Sequence, residues 1–231
     1  MMRLLRAVVL SAALLCVGSS LGAQVPVQLT GAGNTSYAGY MVGPYTGSLP
    51  GFPSLDFYCV DFLNGVHVGD QWNARLTSLG NFVAGQTRYG QFYGLSGLAR
   101  YQQAAWLSTQ FSAFSGLGSA ERSLAYGTLH TAIWHVMTSG LPNPYTGLPN
   151  WSPSYNGVSA ADWVTAAQKA DMSGMRWNYW QVVTDMNTNS LTTGKQEYLT
   201  YVTPEPATIF LMGTGLVAVL GMTFITRRSL G

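Results

Sequence analysis

Apolar residues follow two different periods in the middle of this chain and form unbroken runs at its two ends. From residue 24, the alternation Val25, Val27, Leu29 in a stretch rich in Gly, Thr, Ser and Tyr predicts an edge strand and turns. Residues 57–63 and 66–70 flank Asn64-Gly65. Asn-Gly between two β-prone runs predicts a hairpin, because both central residues of a type I′ turn need positive φ. Alternation then puts Phe57, Cys59, Asp61 and Leu63 on one face of the first strand, and leaves His67 on the second strand, at an edge or facing solvent. Between residues 96 and 114 the period lengthens. Ala104, Leu107, Phe111 and Phe114 recur at helical spacing, and Gly116 and Gly118 end the helix. Ser119 is the expected N-cap of a second helix, with Glu121 in its first turn. Its core stripe is Ala125, Leu129, Ala132, Ile133 and Val136, with Tyr126, His130, Trp134 and Met137 on the adjoining face. A helix apolar around so much of its circumference is expected to be deeply buried.

Gly140 and Pro142 stop that helix. A Pro-rich loop over 140–157, a shorter helix near 159–171 and strand-like runs at 177–184 and 196–202 follow. The loop's Pro144-Tyr145-Thr146-Gly147-Leu148-Pro149 nearly repeats Pro44-Tyr45-Thr46-Gly47-Ser48-Leu49-Pro50, which shared turn chemistry explains. The fold class expected is mixed α/β (α+β), a β-sheet or barrel with inserted helices.

The terminal runs have a different character. Arg3 and Arg6 precede apolar residues 7–17, and Leu21-Gly22-Ala23 offers a small-residue cleavage site, so residues 1–23 read as a secretory signal peptide and the mature chain begins near Gln24. Cys16 lies inside that run behind Leu14-Leu15, which is not a lipidation context. At the other end, residues 207–226 are uncharged and long enough, at about 1.5 Å per residue, to cross a bilayer core of about 30 Å as a helix. Arg227 and Arg228 follow directly, and the positive-inside bias holds them in the cytoplasm and leaves the upstream chain outside. Pro204-Glu205-Pro206 stands just before the span. Motif, span and arginine pair together resemble the PEP-CTERM sorting signal of Gram-negative bacteria. The resemblance implies the inner membrane and an exosortase-type protease as partners, with the chain held by a single span and then processed to the cell surface or extracellular matrix. The expected organisation is therefore signal peptide 1–23, exported ectodomain 24–203 and sorting signal 204–231.

Charge narrows the function classes. The whole chain carries a net charge of +2, yet residues 24–203 hold seven basic residues against eight acidic ones. The positive excess sits in the targeting segments, so no basic stripe supports nucleic-acid binding. Charged residues are 9% of the chain, against about 25% in an ordinary globular protein. A surface of Gly, Ser, Thr, Asn, Gln and Tyr suits an exported protein that meets exopolysaccharide or surface proteins.

Signal removal leaves Cys59 as the one cysteine, which must be buried, paired with another molecule or used. Tyr58-Cys59-Val60-Asp61, Tyr101-Gln102-Gln103-Ala104-Ala105-Trp106-Leu107 and Leu129-His130-Thr131-Ala132-Ile133-Trp134 resemble, in order, the three signatures of bacterial surface thioester domains. That resemblance covers roughly residues 56–137. It implies a strand cysteine condensed with a helix glutamine into an internal thioester that captures amines. The chain departs from the pattern at the reactive glutamine, where His130 stands, and imidazole cannot make an acyl bond to Cys59. Gln102 is the fallback partner. The expectation is a thioester-domain-like fold without the bond and without catalytic residues; the alternatives are a covalent adhesin using Cys59 with Gln102, and a hydrolase using Cys59 with His130, for which Asp61 is the candidate orienting residue. His67, His130 and His135 show no zinc spacing, so no metal or other cofactor is expected. Trp106, Trp134 and Trp163 sit at positions suited to a core. For Trp151 and for the cluster Trp177-Asn178-Tyr179-Trp180, packing is the ordinary use and stacking on sugar rings the alternative.

Overall fold

The computed structural model describes residues 24–141 and 152–203. Among the described residues ten strands are formed: β1 (Gln24–Gly31), β2 (Ser36–Tyr37), β3 (Tyr40–Met41), β4 (Tyr45–Leu49), β5 (Phe52–Cys59), β6 (Gln71–Ser78), β7 (Ser154–Tyr155), β8 (Val158–Ser159), β9 (Trp180–Asp185) and β10 (Tyr198–Tyr201). Six of them close an antiparallel barrel in the order β1-β4-β5-β10-β9-β6. The strand alternation builds its interior. Val27 and Leu29 of β1, Tyr45 and Leu49 of β4, Phe57 and Cys59 of β5, and Trp72 and Ala74 of β6 are buried. Rings fill the middle, with Tyr198 5.5 Å from Phe57, 5.7 Å from Tyr45 and 6.3 Å from Trp72, centroid to centroid. Gly47 lets the wall close, because a Cβ there would lie 2.5 Å from the Phe57 ring.

The mixed helix-and-sheet class is as the sequence indicated, and several local expectations are corrected. β1 is not an edge strand, since it pairs with both β4 and β6. The Asn64-Gly65 hairpin is absent. β5 ends at Cys59 and has both of its edges taken, by β4 and β10, so β6 goes to the far side of the barrel and residues 60–70 form a loop. Asn64 serves that loop through its side chain, donating to Asp61 Oδ2 at 2.8 Å and to the Leu191 carbonyl at 2.8 Å. His67 is exposed, as expected, but lies in this loop and not on a strand.

The helical layer comes mainly from the connection between β6 and β9. It holds α1 (Arg88–Tyr93), α2 (Ser96–Thr109) continuing into a 3-10 turn over Gln110–Phe114, α3 (Ser119–Thr138) and α4 (Ala160–Lys169). Ala104, Leu107 and Phe111 are buried along the predicted stripe. In α3 the whole core stripe and all four adjoining residues are buried, which fits a helix apolar nearly all round. Ser119 is corrected from N-cap to first helical residue; Gly118 takes the cap position and supplies no side-chain bond. Helix α4 has a full capping box, Ser159 accepting from the Asp162 backbone while Asp162 accepts from the Ser159 backbone. Trp134 is buried, whereas Trp106 and Trp163 are half-buried with centroids 6.3 Å apart.

Candidate functional site

Strand β5 and helix α3 bring Cys59 and His130 together under the barrel rim, both with 0% exposure. The Cys59 thiol donates to the Asp61 carbonyl at 3.3 Å, and the Trp134 side chain lies close enough to favour its ionised form. Burial pushes it up to about 12, and the Asp61 charge acts in the same direction. His130 meets the Cys59 backbone and not its sulfur: Nε2 points toward the Cys59 carbonyl without closing a well-formed hydrogen bond. Nδ1 accepts from Gly43 N–H at 2.7 Å, which places the ring proton on Nε2. Gly43 has φ +100 and its backbone runs against the Tyr126 ring, so only a residue without a side chain can make this approach. The imidazole stacks on Trp134 at 4.9 Å and meets Phe111 at 5.3 Å. Desolvation by these rings lowers its pKa to about 3. A thiol held protonated beside an imidazole held neutral is the opposite of a thiolate–imidazolium pair.

Asp61 does not orient His130. It belongs to a second buried cluster that the sequence reading missed, in which the Arg88 guanidinium faces two carboxyls. Arg88 Nε lies 3.0 Å from Asp61 Oδ2, and both side chains are fully buried. The other guanidinium nitrogens donate to Ser190 O, Thr188 Oγ1 and Lys195 O at 2.8, 3.2 and 2.8 Å. The backbone N–H of Arg88, free at the first turn of α1, donates to Glu197 Oε1 at 2.8 Å. Glu197 also accepts from the Tyr101 and Thr184 hydroxyls, each at 2.5 Å. Burial raises the pKa of both carboxyls while Arg88 and the donors pull them back. This cluster ties the loop after β5, the start of α1, helix α2 and strands β9 and β10 to one another. A signal for it was present: in a chain with so few charges, Arg88 and Glu197 each stand inside or beside a run that folds into an element.

Of the candidate thioester-like residues, the structure therefore joins Cys59 with His130 and leaves Gln102 half-buried on α2, its side chain without a hydrogen bond among the described residues. No group of three or more His, Cys, Asp or Glu that could hold a metal ion occurs among the described residues. The signal peptide 1–23, Trp151, the second Pro-Tyr-Thr-Gly copy, Pro204, Glu205, Pro206, the span 207–226, Arg227 and Arg228 lie outside the described residues. Among those described, no helix is long and apolar enough to cross a membrane.

An unreactive thiol has a measurable signature. At neutral pH, a pKa of about 12 instead of the usual 8.5 lowers the thiolate fraction by roughly three orders of magnitude. Iodoacetamide is expected to label Cys59 at least that much more slowly in the native protein than in denaturant, with no further slowing in His130→Ala. Cys59→Ala is expected to cost on the order of 1 kcal/mol. Fast native labelling that depends on His130 would overturn this, as would an intact mass lower by one ammonia, the mark of a thioester with Gln102.

Residues 202–228 match the PEP-CTERM protein-sorting motif family. The match implies an exosortase-type processing partner and an exported protein that is membrane-anchored and then released to the surface. It begins one residue beyond β10, so the motif follows directly on the last barrel strand. No curated protein and no solved structure matches the chain, and the thioester-domain resemblance has no counterpart in these comparisons.

Proposed function

We propose that the chain is an exported cell-surface or extracellular-matrix protein whose barrel is a non-enzymatic binding or structural module. In this reading residues 1–23 direct export and the helix 207–226 holds the chain in the inner membrane with its C-terminus in the cytoplasm. An exosortase-type protease then processes it at Pro204-Glu205-Pro206. The observation that carries the proposal is the sorting-motif match over residues 202–228. The protonated Cys59 thiol and the neutral, fully covered His130 ring support a role without turnover.

Replacing Pro204-Glu205-Pro206 by three alanines tests it. The motif lies beyond the last strand, whose final backbone bond to the rest of the fold is Val202 N–H to Tyr179 O at 2.8 Å. The barrel should therefore melt unchanged while full-length protein accumulates in the membrane fraction and the released form disappears. Release of the variant at the wild-type level would refute the sorting role.

A further inference from the structure

The barrel's outer wall carries a groove that the buried clusters do not use. Ser54, Asp56 and Tyr58 alternate along β5 and share its outward side, while Trp180 of β9 and Tyr201 of β10 are directly paired. These residues, Thr109 at the end of α2 and residues 174–176 enclose an open groove of about 660 Å³. Its wall is a run of rings. Tyr58 and Trp180 have centroids 6.2 Å apart, and Trp180 and Tyr201 5.4 Å. Its lining also carries polar groups. The Asp56 side chain makes no hydrogen bond or ion pair among the described residues, and partial desolvation raises its pKa. Arg176 pairs with no carboxylate there and leans on the Tyr179 ring at 5.9 Å.

The chemistry of this lining selects among ligand classes. One carboxylate and one guanidinium cancel, so the groove has no net field to draw a polyanion or polycation. The barrel is closed, which removes the free strand edge that an extended peptide would pair with. The site is open along its length and is not an enclosed cavity of the kind that buries most of a small molecule. What remains is a chain with flat apolar faces and rims of hydroxyls that both donate and accept. We propose that this groove binds a neutral polysaccharide, the partly exposed Tyr58 and Tyr201 rings meeting sugar faces over the buried Trp180 ring behind them, while Asp56 accepts from hydroxyls and Arg176 donates to them. The inference names a ligand class for the surface role proposed above and rests on that reading for where such a ligand is met.

Trp180 supplies the readout. The full chain, in a detergent without a sugar headgroup, is titrated with cellohexaose, mannohexaose, chitohexaose and maltohexaose while tryptophan fluorescence is followed. Saturable binding of at least one hexasaccharide is expected. Asp56→Asn, Arg176→Ala and Tyr201→Ala are each expected to weaken it roughly tenfold or more. Asp56→Asn keeps the side chain's shape, so a folding defect cannot stand in for lost binding. Phe92→Ala, exposed on α1, should leave it unchanged. No binding of any of the four at millimolar concentration, binding that ignores the groove variants, or preference for polylysine or polyglutamate each overturns the proposal. Normal processing of a protein that binds none of the sugars removes this ligand class and leaves the surface role standing.

Discussion

Arg88→Met is expected to cost about 3–5 kcal/mol of folding stability, because it leaves a buried carboxylate without its countercharge. That is a large part of the 5–15 kcal/mol that typically holds a domain together. The cost follows from the geometry. Asp61 is fully buried with its ion-pair partner 3.0 Å away, and Glu197 is also buried but keeps the Tyr101 and Thr184 hydroxyls as donors. Asp61 keeps the Leu63 N–H and the Asn64 amide as neutral donors but loses the charge paired with it, so it is the group most affected by the substitution. Adding Asp61→Asn to Arg88→Met should recover much of the loss, since an amide can still accept from Leu63 N–H, now 3.0 Å from Asp61 Oδ1, and carries no charge to desolvate. Urea unfolding of the wild type, the single variant and the double variant measures both steps. A single-variant loss under about 1 kcal/mol would mean that the pair is not a stabilising contact at all.

Strands and helices were legible wherever one face was buried and the period was clean. The α3 stripe, the 3.6-residue spacing of Ala104, Leu107 and Phe111, and the Ser159–Asp162 start of α4 all record local rules that tertiary structure had no reason to override. Topology was not legible at Asn64-Gly65. The dipeptide favours a tight turn, but β5 finds both neighbours elsewhere in the sequence, in β4 and β10, and closing a barrel decides the pairing over any local turn preference. The candidate site was half visible. Cys59 and His130 stand out by residue type, whereas the partners that fix their chemistry are Gly43 N–H, the Asp61 carbonyl and the Trp134 indole, which no spacing announces. Arg88 and Glu197 lie 109 residues apart, so only the folded chain shows that two lone charges are partners.

His130 should make the protein acid-labile in a defined window. Its pKa is lowered from 6.5 to about 3, so its contribution is fully present above pH 6.5 and is lost as the pH falls toward 3. A depression of that size corresponds to an upper limit of about 5 kcal/mol across the window. Asp61 and Glu197 act in the opposite sense. Burial raises both from their ordinary values of 3.8 and 4.5, so what they contribute is present below those values and is lost as the pH rises through their raised folded values. The two trends overlap, and the wild-type curve alone does not separate them. His130→Gln does, because a side-chain carbonyl can still accept from Gly43 N–H while the titrating proton is gone. Unfolding free energies from denaturant titrations at pH 3 to 8 are expected to converge as the pH falls below 6.5, with the variant less stable at neutral pH through lost stacking on Trp134 and Phe111 and flatter toward acid. Parallel curves over that range would show that the ring takes up its proton as readily in the fold as in the unfolded chain. The Gly43 contact would then have to be lost, since an imidazolium has no acceptor to offer it.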